Sequence, residues 1–201
     1  MKAALKKAAL IVVKNQIFYM SIYYPEGCES AIPDHQCDPC EVPEHGRVRS
    51  VAYIKSSFNF TDPEDPTEWS AGIDSRDIIM IPEVLGSFDG GAPVESAGYG
   101  DQSTKLTGYN FSLVYKDPNY RDNCDFYNAI KASRNYKVAW RTETQTHISD
   151  NTVSVIPKQP VTEDLASDVV WDVEVKFAQG DLACPFDTPA GIFDQCLAVT
   201  P

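Results

Sequence analysis

The residues with the most obvious chemical potential are six cysteines, at positions 28, 37, 40, 124, 184 and 196. Cys37-Asp-Pro-Cys40 has the CxxC spacing of half a zinc knuckle. Two thiolates held two residues apart grip adjacent corners of one tetrahedral ion. Cys28, His35, His45 or Cys184 would complete the shell. Cys28, Cys37 and Cys40 are the candidate metal residues, with structural zinc as the ion. A disulfide and plain reduced thiols remain open readings. An even cysteine count permits bridges without establishing an oxidising compartment. Redox catalysis through CxxC needs a thioredoxin-like βαβ setting, which the surrounding sequence does not offer.

The remaining reactive side chains form no catalytic pattern. His147 has Glu143 and Asp150 nearby in sequence, but a general base needs a nucleophile, and no GxSxG frame is present. A turn histidine or one satisfied by local hydrogen bonds is the expected role. The acids Asp62, Glu64 and Asp65, and the pair Glu163 and Asp164, read as solvated loop positions rather than paired carboxylates. Gly98-Tyr-Gly100 lacks the third glycine of a dinucleotide fingerprint and precedes a strand, where that motif requires a helix. The sequons at Asn59 and Asn110 fall in strand-like segments. The expectation is a non-enzymatic protein with no cofactor beyond structural zinc.

These residues sit on a chain of 201 amino acids, 43 % hydrophobic, with a formal net charge of −12. The length fits one domain with arms. Aromatic and aliphatic content is too high for a disordered chain. No uncharged apolar run approaches the roughly 18 residues of a membrane span, so no membrane partner is expected. An acidic chain is a poor grip for nucleic acid phosphates. Residues 1–19 contain four lysines and no acid, so the remaining residues carry −16. The apolar stretch Ala-Ala-Leu-Ile-Val-Val is short for a signal peptide and no small-x-small cleavage site follows. This basic extension reads as a short amphipathic helix, or as residues upstream of a natural start at Met20.

Residues 20–46 hold four prolines, three cysteines and two histidines, and read as an irregular arm. From Arg47 the pattern becomes that of a folded domain. Residues 47–60 alternate as a strand. Asp65-Pro66-Thr67-Glu68 starts a helix that Gly72 is expected to stop. Asp77–Leu85 reads as a strand with a bulge at Pro82, and the glycine-rich stretch Gly86–Ser103 as one long loop or hairpin tip. Thr104–Lys116 is a strand, and Asp122–Asn135 a helix with Asp122 or Asn123 as its cap. Strands follow at Tyr136–Thr142, Thr146–Pro157 and Ser167–Ala178. In the last, Asp172, Glu174 and Lys176 alternate with Trp171, Val173, Val175 and Phe177, as in a sheet with one wet face. Residues 179–201 form a tail without a period. The predicted class is mainly β (α+β): an antiparallel β-sandwich or half barrel over residues 47–178, with one flanking helix and a long Gly-rich loop.

Irregular arms and a long loop have little to pack on alone, and make sense when neighbouring copies order them. The loop residues Phe88, Gly90, Gly91 and Tyr99 and the arm residues Tyr23 and Tyr24 are therefore candidate subunit contacts.

The stretches IPEVLGSFDGGAPVESAGYGDQSTKLTGYNFSLVYKD, NCDFYNAIKASRNYKVAWRTET and VSVIPKQPVTEDLASDVVWDVEVKF resemble structural proteins of tailed bacteriophages, most of all tail tube proteins. The resemblance covers roughly residues 47–178 and lies in element order rather than in a short motif. It implies a β-sandwich or half barrel with a flanking helix. It also implies homo-oligomeric rings, expected to be hexameric, stacked around a channel that DNA crosses without specific binding. Asp172, Glu174 and Lys176 would line that lumen, and an acidic wall would keep the duplex mobile. Other virion proteins would be partners. The protein would be made in the host bacterial cytoplasm and reside in the virion tail. The cysteine-bearing arm is not general in that family, which leaves a head or neck decoration, connector or fibre-base adhesion role as the alternative.

Overall fold

A computed structural model describes residues 35, 43, 44, 46–98, 100, 104–164 and 166–193, and the backbone of residues 12, 13, 16 and 17. The chain divides into two units, Met1–Glu41 and Val42–Pro201. In the first, strands β1 (Val12–Val13) and β2 (Gln16–Ile17) pair antiparallel. Extended backbone at these positions replaces the helix anticipated there.

The second unit is a β-sandwich flanked by helices. Its elements are β3 (Ser50–Lys55), α1 (Pro66–Asp74), β4 (Ile78–Ile81), β5 (Leu85–Phe88), β6 (Ala92–Ser96), β7 (Lys105–Asp117), α2 (Cys124–Ile130), β8 (Tyr136–Arg141), β9 (Gln145–Ile148), β10 (Ser154–Lys158), β11 (Trp171–Gln179) and β12 (Phe186–Asp187). One five-stranded sheet has the order β10-β11-β7-β5, with β6 also paired to β7; the other has the order β12-β9-β8-β3-β4. Every pairing is antiparallel.

The alternation of β11 puts Trp171, Val173, Val175 and Phe177 in the core and leaves Asp172, Glu174 and Lys176 outside. In β7 the buried set is Phe111, Leu113, Tyr115 and Asp117. These residues meet Val51, Tyr53, Val138 and Trp140 from the facing sheet. Burying a large apolar side chain contributes about 1.5–3 kcal/mol, so this face is the main source of cohesion. The facing sheet is covered on its other side too. Ala52, Ile54, Ala139 and Ile78 pack there against Trp69 of α1 and Phe193. That accounts for the unbroken apolar run in β3, which is buried on both faces.

Helix α1 starts as its sequence requires: Asp65 accepts a 2.8 Å hydrogen bond from Thr67 N, and Pro66 occupies the first turn. Gly72 does not stop it. A Cβ at this position would lie 2.5 Å from Ile78 Cδ1, so the missing side chain lets α1 approach β4. The helix continues to Asp74. Two predicted strands are each divided. Residues 77–85 break at Pro82, where the chain leaves one sheet as β4 and joins the other as β5. Residues 146–157 break after Ile148, where Ser149 Oγ accepts from Val138 N and donates to Asn151 O as the chain turns between sheets. The Gly-rich stretch is not one loop, since it carries most of β5 and all of β6. Paired hydrogen bonds between Val48 and Gly86 join the two sheets at one corner. The tail is also partly integral: β12 pairs with β9, and Phe193 is buried, so the domain runs past residue 178.

A polar chain closes the end of the sandwich. Tyr53 and Tyr115 share a 2.9 Å hydrogen bond between hydroxyls across the two sheets. At the end of β7, buried Asp117 accepts from Asn119 N (2.9 Å), Asn123 Nδ2 (2.8 Å) and Tyr127 Oη (2.8 Å). Burial pushes the phenols of Tyr53, Tyr115 and Tyr127 well above their ordinary range, which keeps them neutral donors. Asn123 occupies the N-cap of α2 but its side chain makes no cap bond; its Nδ2 donates to Asp117. Turns in place of helix on either side shorten α2 relative to the predicted 122–135.

Asp117→Ala would remove the acceptor of three donors, Asn119 N, Asn123 Nδ2 and the buried Tyr127 hydroxyl. The expected cost is about 2–4 kcal/mol, read as a lower urea midpoint at unchanged slope. Adding Tyr127→Phe should recover part of it, and a loss below about 1 kcal/mol would show that Asp117 does not hold α2 in place.

Candidate functional site

The part of the molecule least engaged with its own core is the hairpin made by β6 and the beginning of β7. All five β6 residues are exposed, as are Lys105, Leu106 and Thr107. Strand β11 ends with Gln179 opposite Tyr109, so Lys105–Gly108 extend beyond it with only β6 as a described partner. Two local features aim this hairpin away from the sandwich. Gly108 has φ +156°, and a Cβ there would sit 2.8 Å from Gln179 O, so glycine permits β7 to pass the end of β11. The register also shifts between Val94 and Glu95, opposite which Thr107 is the extra residue of β7, a bulge that increases local twist. Val94 is 38 % exposed and Leu106 51 % exposed. Thr107 Oγ1 donates to Val94 O at 2.9 Å and stiffens the pair.

A two-stranded hairpin is marginal in water without further packing. This one presents two apolar side chains, the outer edge of β6 and the Lys105–Gly108 edge of β7. It is the surface best suited to another polypeptide. Its sequence signal was the excess of Gly, Ser and Ala, which suggested a loop and hid the alternation of Ala92–Ser96.

The expected contact residues separate. Phe88 is half-buried and packs on Phe111, Trp140 and Phe177, with ring centroids 5.6, 4.4 and 6.4 Å away. Gly91 has φ +94° and lies against the Phe111 ring, where a Cβ would come within 2.4 Å. Both pack on the core of their own chain. Gly90 (φ +75°) is exposed with open space around it. Tyr99, Tyr23 and Tyr24 lie outside the described residues, as do Cys28, Cys37 and Cys40. Cys124 and Cys184 are exposed free thiols, and the described residues contain no group of three or more metal-ligating side chains. His147 stacks on Trp140 (5.2 Å, 3°) and its Nδ1–H donates to Ala183 O at 2.9 Å, a satisfied structural histidine. No helix among the described residues is long and apolar enough to cross a membrane.

Asp172, Glu174 and Lys176 do share the wet face of the first sheet. Register places Lys158, Asp172, Lys116 and Leu85 in one row, and Ile156, Glu174, Val114 and Ser87 in the next. Glu174 lies 3.0 Å from Lys176 Nζ and 3.7 Å from Lys158 Nζ. The Lys176 hydrogen bond, with Lys158 beside it, holds its carboxyl below the usual range. Three lysines therefore stand among two carboxylates. The acidic wall expected from β11 alone is not built on this face, because cross-strand neighbours from β7 and β10 neutralise it.

The arm's attachment to the domain was not legible in the sequence. Glu44 meets the turn between β8 and β9 through four donors: Thr142 Oγ1 at 2.7 Å, Glu143 N at 3.2 Å, Thr144 N at 2.9 Å and Thr144 Oγ1. The Thr144 hydroxyl, helped by the other three, holds the carboxyl at about 2.

No family model matches the chain, and comparison with curated proteins and with solved structures returned no match. What the fold and surface define is a class: a two-sheet antiparallel β-sandwich with a protruding hairpin.

The Glu44 clamp carries a defined pH dependence. Its folded carboxyl lies below the unfolded value of 4.5, so its contribution is complete above about pH 4.5 and is lost as pH falls toward 2. Amide exchange at Thr144, corrected for intrinsic rate, should accelerate across that window. Glu44→Gln should exchange fast at every pH; an unchanged profile would show that Glu44 is not what holds this turn.

Proposed function

We propose that this protein is a self-assembling structural subunit, and that within this class it is a tail-tube-type subunit of a tailed-phage virion. The observation that carries the first step is the β6–β7 hairpin, exposed along β6 and Lys105–Thr107 and without a partner on either outer edge among the described residues. Pairing the outer edge of β6 in one copy with the Lys105–Gly108 edge of β7 in the next is a head-to-tail contact. Head-to-tail contacts close into rings when the rotation between copies permits it. The second step rests on the resemblance in element order and on the sandwich with its flanking helix. The charge of the wet face lends that step no support. Under this reading the −12 net charge opposes phosphate binding through the molecule as a whole, and DNA passes without being held.

Replacing residues 94–108 with Asn-Gly would close β6 onto β7 as a two-residue hairpin at the Pro93–Tyr109 pair. The expected product keeps its thermal midpoint but runs as a monomer in light scattering, while the intact chain forms rings or stacked tubes in negative stain. Val94→Asp with Leu106→Asp should dissolve the same assemblies without shortening the strand. If the shortened chain assembles like the parent, the hairpin is not the contact. Discrete rings that never stack would favour a neck or decoration role.

A further inference from the structure

The corner where the sheets join carries a second surface, unrelated to the hairpin. The segment before β3, the Pro82–Leu85 corner, the end of β7 and the approach to β11 enclose a cleft of about 700 Å³, within the size range of small-molecule sites. Arg47, Arg49, Lys116 and Arg141 line it, against the acids Glu83 and Asp168. Arg47 and Arg49 come from the lead-in to β3, Lys116 from β7 and Arg141 from β8, so the fold brings these three segments together. Glu143 Oε1 accepts from Arg49 Nη2 at 2.9 Å.

Arg49 is only partly satisfied by this bond. Its Nε is buried and has no hydrogen-bond partner among the described residues. A buried guanidinium N–H without an acceptor is costly, and such groups ordinarily find one. We propose that this cleft binds a small organic oxyanion, a phosphate or carboxylate group carried on a partly apolar body. The guanidinium fork matches both oxyanions in bidentate geometry. Leu85, 56 % exposed at the rim, and half-buried Val170 supply an apolar wall for the rest of the molecule. Glu83 and Asp168 limit the charge that is tolerated, which favours a mono- or dianionic group over a polyanion.

The test is calorimetric titration of the full chain with phenyl phosphate and, separately, with benzoate. Saturable one-site binding of at least one is expected, and the tighter of the two identifies the phosphate or carboxylate class. Arg47→Gln and Lys116→Gln, both at exposed positions, should each weaken that binding about tenfold. Lys158→Gln removes the same charge from the same sheet outside the cleft and should leave it unchanged. The proposal is overturned if neither anion saturates at millimolar concentration, or if Lys158→Gln weakens binding as much as the cleft variants do.

Discussion

A carboxylate with no exposed surface is what the end of this sandwich is built around. Asp117 terminates β7, the longest strand of the first sheet, at the point where the chain must turn away and return as α2. An unpaired charge there would be prohibitive, and three donors remove the problem. Two of them come from the lead-in and first turn of α2. The charge is therefore tolerated only when the helix is docked, and the docked helix brings Tyr127 and Ile130 into the core. Tyr127 packs beside Trp171 at 4.6 Å, and the Trp171 indole donates to Tyr120 O at 3.0 Å. Polar satisfaction and aromatic packing thus select the same arrangement. A network of this kind specifies one geometry more than it adds net stability.

The second constraint is the pair of places where a strand leaves one sheet for the other. At Pro82 the ring removes a ladder donor, and Ser50 Oγ donates to the Pro82 carbonyl at 2.6 Å to pin the bend. At Ser149 a buried hydroxyl takes the ladder's place. Both crossings leave their backbone groups satisfied, as interior corners require. One of them leads directly to the basic cleft: the Val48–Gly86 bridge and the bond from Val84 N to Arg49 O draw the segment before β3 against the Pro82 corner. The gathering of arginines is a by-product of sheet closure.

These two constraints explain what the sequence could and could not disclose. The wet-face alternation of β11 and the cap of α1 depend on neighbours within a few residues, and both were legible. The class of fold followed from the order of such segments. Features that depend on distant partners were hidden. Gly72 looks like a stop signal until Ile78 is placed against it. Asn123 looks like a cap until Asp117 claims its amide. Phe88 looks like a loop aromatic until Phe111 and Trp140 lie beneath it. The charge of the wet face was misjudged for the same reason. Asp172 and Glu174 are acidic along β11, but Lys116 and Lys158 stand opposite them across strands, and strand neighbours cannot be assigned before register is known. The cleft was invisible throughout, since its four cations are scattered from residue 47 to residue 141.

The protruding hairpin is the one element whose local physics runs against the rest. Elsewhere in the first sheet the exposed apolar side chains, Leu85, Val114 and Ile156, stand in rows with charged or polar neighbours. Here Val94 and Leu106 are exposed, and among the described residues neither outer edge of the hairpin tip has a partner. Open apolar edges ordinarily invite indiscriminate pairing. This hairpin carries partial guards against that: Pro93 removes one donor, the bulge at Val94/Glu95 interrupts a flat edge, and Glu95 and Lys105 place opposite charges near the tip. A surface evolved only for solubility would gain by losing the exposed valine and leucine. A surface without selectivity would gain nothing from the bulge and the charges. Their combination fits an edge kept available for one partner geometry and closed to others, which is what subunit assembly through this hairpin requires.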